Sequence, residues 1–525
     1  MNQSSIEFLH QQAILALNNN ELETAHRYLV QMIQKQSNHA DAYFLLAMVN
    51  VKVGQIAKAI KLIEKALTFS NEIEYKAHLA KCYALIGELN KAKQCVDTIN
   101  PDDITNPLTA DTIGVALSRV GLHQEAIKFF IQTIHLDNNN AGYYYNYGIS
   151  CKFMGDFKQA QKAFEQAIEI LPAHVESHYA LTDVVKVTDE NSHIERLLTI
   201  NQTINHPDEA LYINHALARE YDAIGQYDLA IEHLYSCKKA KREQVNYQFS
   251  QDEKMFKVLN AQIQHRQFER SSGFDDDSAI FVVGMPRTGT TVVERMLTQA
   301  SNVHSLGELQ DFALLTKQLS KDNSNKILNN NVLNNLDNIN FELLGKTYIT
   351  KARALSNGSD KFVDKMPLNL LYTQIILTAL PNAKIICLNR NPLDTIMSNF
   401  KQLFASNFSL YHYALSLQDT YSFYKQFKKL AGHYVKAYPE NFMVVNYEEL
   451  VEQPDVIGKE VFAFCNIPWQ QGFNLIENNH APVDTASSVQ VRSPIVTSNI
   501  GKWKKYRKHL QEVITQIQQD GNLVD

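Results

Sequence analysis

Between Ala279 and Ala300 the chain reads AIFVVGMPRTGTTVVERMLTQA. An apolar run leads into a turn of Gly284, Pro286, Arg287, Thr288 and Gly289, and Val292, Val293, Met296 and Leu297 then recur at helical spacing. Such a strand, loop and helix make an anion cradle. Free N–H groups at the helix start and the positive end of its dipole face the ligand, and glycines without Cβ let it come close. Thr288, Thr290 and Thr291 add hydroxyl donors, and Arg287 adds a cation with a forked geometry. Written G-x-x-x-x-G-T-T, the loop nearly matches that of ATPases and GTPases, but Thr290 stands where their lysine would reach the β and γ phosphates. A nucleoside triphosphatase is therefore disfavoured.

Two further segments read as strands that bring side chains to the same end of the sheet. KIICLN, Lys384 to Asn389, reads as a buried strand that runs into Arg390 and Asn391-Pro392, with the proline at a first helical position. FMVV, Phe442 to Val445, reads as another and leads into Asn446 and Tyr447. In open parallel sheets ligands sit outside the carboxyl ends of the strands, where Gly284, Arg390 and Tyr447 all fall. Arg390 offers bidentate contacts to phosphate and Ser398 a hydroxyl on the following helix. The alternative is that Arg390 pairs with Asp394 and Ser398 faces solvent.

The loop PRTGTT, Pro286 to Thr291, resembles the 5′-phosphosulfate-binding loop of the sulfotransferases, which use 3′-phosphoadenosine 5′-phosphosulfate (PAPS) and release 3′-phosphoadenosine 5′-phosphate. RNPLDTIMS, Arg390 to Ser398, resembles their 3′-phosphate element, an arginine followed eight residues later by a serine. SSVQVRSPIVTSNIGKW, Ser487 to Trp503, is similar to the segment that closes over the nucleotide in protein-tyrosine sulfotransferases, and Tyr447 in NYEELV matches their tyrosine near the adenosine. The resemblance thus implies PAPS contacts from Arg287, Thr288, Gly289, Thr290, Thr291, Arg390, Ser398, Tyr447, Arg492, Ser493 and Lys502. One departure is Gln402, which stands where the tyrosine-directed enzymes carry a second basic residue.

Sulfuryl transfer needs a deprotonated acceptor oxygen and charge stabilisation at the transferring group. Glu308 in HSLGE resembles the glutamate base of the tyrosine-directed enzymes, and Lys365 in DKMP resembles their lysine beside the transferring group. Arg287 would share the lysine's task from the loop. His304 is the rival base. A structural Lys365 would instead pair with Asp364 or Glu308. The chemistry requires no metal, and the sequence has no metal-ligand cluster.

These groups need a scaffold, and the alternation of strands and helices after residue 276 suggests a parallel sheet covered by helices. Before it the sequence repeats. A glycine is followed five positions later by alanine at Gly54, Gly87, Gly121, Gly155 and Gly225, and the first four are 33 or 34 residues apart, the tetratricopeptide period. Seven residues before each glycine lies a small residue, Ala47, Ala80, Gly114, Gly148 or Ala218. Asn20 takes the turn position in a first unit, and Ala180 to Pro207 forms a degenerate one. The fold class expected is an all-α tetratricopeptide solenoid of six or seven helix pairs over 1–240, followed by a polar helical connector over 241–275. A P-loop-like α/β sulfotransferase domain over 276–525 completes the chain. Ser271 to Gly273 and Asp275 to Asp277 mark the last boundary. Solenoids commonly hold an extended peptide or another protein, and Tyr143, Tyr144, Tyr145 and Tyr147 could line that groove or pack within it.

With 525 residues, 45% of them hydrophobic, the chain has room for two or three domains. A net charge of −6 gives no general attraction to nucleic acid, so an anion site must be local. The six cysteines lack C-x-x-C spacing, which fits a reducing cytoplasm. Neither a signal-peptide pattern nor an apolar run of membrane-spanning length is present. The function expected is PAPS-dependent sulfuryl transfer to an acceptor hydroxyl, with a peptide tyrosine as leading acceptor and a carbohydrate or small-molecule hydroxyl as alternatives. A P-loop kinase and a non-catalytic repeat adaptor are the rival classes.

Overall fold

The structure, a computed structural model, describes residues 5–265, 273–322, 324, 326–405, 408–479, 481 and 490–521. Ser271, Ser272 and Ser487 to Val489 from the sequence reading lie outside these. The chain divides into two compact units, Met1–His174 and Val175–Asp525.

The first unit is built of five helix pairs: Ile6–Asn18 with Leu22–Lys35, Ala40–Lys52 with Ile56–Leu67, Ile73–Leu85 with Leu89–Asp97, Pro107–Arg119 with His123–Leu136, and Ala141–Met154 with Phe157–Ile170. The turn within each pair needs a left-handed residue. Gly54, Gly87, Gly121 and Gly155 supply it at φ between 75° and 86°, and Asn20 supplies it at 59°. The small residues before these turns are there for close packing. A Cβ on Gly114 would come within 2.5 Å of the Phe130 ring, and one on Gly148 within 2.6 Å of Phe164. Of the tyrosines at the start of the helix Ala141–Met154, Tyr143 is buried and the other three are half-buried.

The second unit opens with two more pairs, Val175–Val184 with Ile194–Asn201 and Pro207–Ala223 with Tyr227–Gln244. The first of these is the degenerate unit, and no left-handed glycine joins its helices. The stretch read as a polar connector does contain a helix, Phe249–His265, but Met255, Phe256 and Leu259 bury it. Phe256 packs edge-on against Phe423 of the helix Leu417–Ala437, 5.1 Å between ring centroids. Spaced three or four apart, these apolar residues form a stripe that a mostly polar composition concealed.

A five-stranded sheet follows, with strand order β2-β3-β1-β4-β5 and every pairing parallel. The strands are β1 (Ala279–Gly284), β2 (Val303–Ser305), β3 (Lys361–Asp364), β4 (Lys384–Asn389) and β5 (Phe442–Asn446). β1 is buried along its whole length, as expected of a strand covered on both faces. Ile280 and Val282 join the core under the helix Thr290–Leu297, and Phe281 and Val283 join the core on the opposite face. The chain leaves β1 for the β2 edge and later crosses to β4 on the other side of β1. Gly284 aligns with Leu388 and Asn389 with Asn446, so the carboxyl ends of β1, β4 and β5 meet at the switch in strand order, where such sheets bind ligands.

Candidate functional site

The loop after β1 is shaped by two left-handed residues. Gly289 has φ 100°, and a Cβ there would lie 2.5 Å from the Tyr447 ring. Arg287 has φ 68°, a conformation that costs a side-chain-bearing residue about 1–2 kcal/mol. Gly289 starts the helix Thr290–Leu297 without a side-chain cap, leaving the first-turn N–H groups of Thr290 and Thr291 open to an anion. The Thr288 hydroxyl instead donates to the Met285 carbonyl at 2.7 Å and braces the turn.

Arg390, at the end of β4, is buried beside this loop. Its Nη1 donates to the Arg287 carbonyl at 2.9 Å, its Nη2 to the Asn499 carbonyl at 2.5 Å, and its guanidinium stacks 4.6 Å from the Tyr447 ring centroid. Its Nε is buried without a partner. Asp394 lies 3.9 Å away. That carboxylate is engaged elsewhere, accepting the backbone N–H groups of Gly501 at 2.7 Å and Trp503 at 3.0 Å. The alternative pairing of Arg390 with Asp394 is thus only a distant contact, and Asp394 instead anchors the segment around Gly501. Ser398 is half-buried on the helix Pro392–Lys401.

The structure divides the predicted closing residues. Lys502 keeps company with Arg390, and its pKa is lowered by burial and then by the positive charges of Lys505 and Arg390. Arg492 lies instead near Arg295, on the helix that follows the loop, while Ser493 is exposed. Gln402 is buried, and its side-chain amide donates to the Leu403 carbonyl at 2.9 Å.

Glu308 and Lys365 meet on the β2–β3 side of the sheet. The Leu306 N–H donates to the Val363 carbonyl and the Lys365 N–H to the Gly307 carbonyl, both at 2.9 Å, so the turns after the two strands run side by side. Lys365, with no exposed surface, reaches Glu308 Oε1 at 2.5 Å, and the Glu308 side chain is 36% exposed. Lys365 therefore takes the Glu308 partner that the sequence allowed. It also lies 3.9 Å from Glu294, which accepts the Ser305 hydroxyl at 2.5 Å. Burial raises the Glu294 pKa, and Lys365 and Ser305 oppose the rise. His304 stands apart: it pairs with Phe362 on one sheet face, whereas Ser305 pairs with Val363 on the face that holds Glu294.

Sequence reading missed Glu294 and Asn399. Glu294 is a charged residue in the apolar stripe of the loop helix, which was its only signal. Asn399 adjoins Ser398; its Nδ2 donates to the Pro286 carbonyl at 2.7 Å, and its Oδ1 accepts the Tyr413 hydroxyl at 2.9 Å. Near Glu308 lies Tyr411, whose phenol pKa is raised by burial and by that carboxylate. Tyr411 stacks on Phe404 at 4.5 Å.

A five-stranded parallel sheet with repeat helices before it defines an α/β domain preceded by a helical repeat array. Residues 279–471 match the model of the sulfotransferase family, and residues 40–72 and 141–174 match the tetratricopeptide repeat. The chain therefore joins tetratricopeptide repeats to a domain of the sulfotransferase family. An uncharacterized protein of Aquifex aeolicus is 28% identical over 377 residues, which cover 70% of this chain and 49% of that one. The chain thus spans about half the length of the curated relative it matches. PilF of Pseudomonas aeruginosa is 15% identical, with a TM-score of 0.33 over 38% of this chain and 91% of its own. A tetratricopeptide repeat protein from Parabacteroides merdae is 14% identical, with a TM-score of 0.34 over 45% of this chain and 92% of its own.

Proposed function

We propose that this chain transfers a sulfuryl group from PAPS to an acceptor hydroxyl. The observation that carries the reading is the convergence of the PRTGTT loop with Arg390 and Tyr447 at one end of the sheet. Its residues fit a nucleotide bearing a 3′-phosphate and a 5′-phosphosulfate. The amides of Thr290 and Thr291 are open to the 5′ end, and the orphaned Nε of Arg390 is a charged donor at the place proposed for the 3′-phosphate. Loop residues Arg287 to Thr291 would hold the 5′ end. Arg390, Ser398 and Lys502 would hold the 3′-phosphate, Tyr447 would lie by the adenosine, and Arg492 and Ser493 would belong to the closing segment. Bound there, PAPS supplies an activated sulfuryl group on a phosphate leaving group.

The chain's own chemistry follows from the Lys365–Glu308 pair. Glu308 takes the acceptor proton, being the more exposed of the two carboxylates around Lys365. Lys365, held in a dry position, neutralises charge at the reacting end, with Arg287 assisting from the loop. Tyr411 and Phe404 near Glu308 support an aromatic acceptor, and a tyrosine of a bound peptide is the leading choice. The functional division proposed is repeats over 1–240, a connector over 241–275 and the transferase over 276–525. In the first unit, a cavity of about 680 Å³ lined by Leu22, His26, Leu46, Val49, Asn50 and Leu62 supports a peptide-binding role for the repeats. Six free thiols accord with a cytoplasmic location.

The test is calorimetric titration with 3′-phosphoadenosine 5′-phosphate, beside ATP and GTP with Mg²⁺. Tight binding of the 3′,5′-bisphosphate that disappears in Arg390→Ala is the expected result. Preference for a triphosphate would sink the reading.

A further inference from the structure

We infer that Arg219, carried by the repeat helix Pro207–Ala223, is a third guanidinium of the donor site and binds the anionic 5′ end of the sulfuryl donor. This deepens the proposed function and rests on it. Arg219 is held as a fork. Its Nη1 contacts the Asp183 carboxylate and lies 3.3 Å from Thr182 Oγ1. Its Nη2 donates to the Tyr179 hydroxyl at 2.6 Å, and its guanidinium lies 4.1 Å from the Tyr179 ring centroid. Tyr179, Thr182 and Asp183 all come from the preceding repeat helix, Val175–Val184.

The helix that carries Arg219 reaches the loop side of the sheet: its Asp222 lies 2.9 Å from Lys401 Nζ, two residues beyond Asn399, whose Nδ2 donates at 2.7 Å to the carbonyl of Pro286 beside Arg287. Arg287 has its pKa pulled down to about 10, first by burial and then by the charges of Arg219 and Arg390, while Asp183 and Tyr179 oppose the shift. Three guanidiniums thus converge where poor solvation makes like charges costly. Asp183 is the carboxylate that offsets them at Arg287. A guest with two negative charges close together, such as a phosphosulfate, removes that repulsion, and the rigid fork suits its oxygens.

A second contact fixes the helix independently. Asp222, one turn beyond Arg219, accepts the Tyr506 hydroxyl and lies 2.9 Å from Lys401 Nζ, on the helix that carries Ser398. The helix that carries Arg219 is therefore held against the helix that carries Ser398.

Calorimetry with 3′-phosphoadenosine 5′-phosphate on the full chain tests this, together with the KM for PAPS. Arg219→Gln should weaken binding by roughly 10- to 100-fold, the loss of a charged hydrogen-bonding group, and Arg219→Lys should recover part of it. Asp183→Asn keeps an acceptor for Arg219 but removes the offsetting charge, so it should tighten binding by about 3- to 10-fold. Because Asp183 also offsets Arg287, the deciding variant if Arg219→Gln fails to fold is Arg219→Lys, which keeps the charge but loses the fork: a several-fold loss of affinity supports direct contact, and wild-type affinity overturns it. Wild-type affinity in Arg219→Gln, or no tightening in Asp183→Asn, would overturn the inference while loss of binding in Arg390→Ala left the parent reading standing. No binding by the unaltered chain would overturn both.

Discussion

Lys365 is buried between two carboxylates, and that arrangement separates roles that a sequence motif cannot. Replacing Glu308 by Gln should leave 3′-phosphoadenosine 5′-phosphate affinity near wild type and lower turnover by about 10²- to 10⁴-fold, as for other general bases. Steady-state rates beside calorimetry would show it, and normal turnover would assign the base elsewhere, with Glu294 next in line. Gly289→Ala should be severe. The new Cβ would strike Tyr447 at 2.5 Å in a backbone already at φ 100°. Loss of nucleotide binding and a lower melting temperature are expected, the left-handed conformation alone costing about 1–2 kcal/mol.

Asp364 offers a pH signature. Burial, with a smaller push from Asp311, raises its pKa to about 8, while Tyr348, whose hydroxyl donates to it at 2.7 Å, and Lys365 oppose the rise. Between the ordinary carboxylate range and about pH 8 the folded chain keeps a proton that the unfolded chain has lost. Its contribution to stability therefore falls as pH rises through that window. Denaturant melts from pH 5 to 8 should show a flatter profile in Asp364→Asn than in wild type. The groups of the candidate site were unevenly legible: PRTGTT, Arg390 and Tyr447 each stand beside a strand end that an apolar run reveals, whereas Glu308 and Lys365 follow the short strands VHS and KFVD and were named only from the resemblance of HSLGE and DKMP. Glu294 and Asn399 were not legible. Their partners, Ser305, Lys365 and the Pro286 carbonyl, are distant in sequence, and only the folded chain makes them neighbours.

At the scale of elements, Asp394 connects the helix after β4 with the segment that follows Asn499. Two backbone N–H groups end on one carboxylate, each such charged bond contributing about 1.5–3 kcal/mol. Asp394→Ala should loosen that segment, seen as faster amide exchange around Gly501 and Trp503 and a raised KM for the donor with a smaller change in kcat. Repeat turns and the strands β1, β4 and β5 were readable because each has a local cause, a left-handed residue or an unbroken apolar run, whereas β2 (VHS) and β3 (KFVD) have none and were not read. The helix Phe249–His265 was read as a connector because its buried stripe is only Met255, Phe256 and Leu259 in a polar setting. What buries it, the helix Leu417–Ala437, comes more than 150 residues later.

At the scale of the molecule, the compact units part at 174/175, inside the repeat pattern. Truncation should respect that division. A chain starting at Val175 keeps the core residues Ile213, Leu217 and Leu234, all at most 1% exposed, and should remain folded and bind 3′-phosphoadenosine 5′-phosphate. One starting at residue 241 strips those residues from their core and should aggregate, a difference that size-exclusion chromatography would show. If residues 1–174 present a peptide acceptor, the longer fragment should lose activity on a peptide while keeping it on a small phenol. Periodicity located the repeats but could not show this division, because helix pairs of either unit obey the same packing rule.

The contact between Lys365 and Glu308 bears on how the donor is spent. If Glu308 is the base proposed above, then while the acceptor is absent the lysine holds the carboxylate that would otherwise draw a proton from water, and idle hydrolysis of a sulfuryl donor would have no ready base. Release of that carboxylate as the acceptor arrives would make the chain thrifty, with consumption of donor coupled to the presence of something to modify.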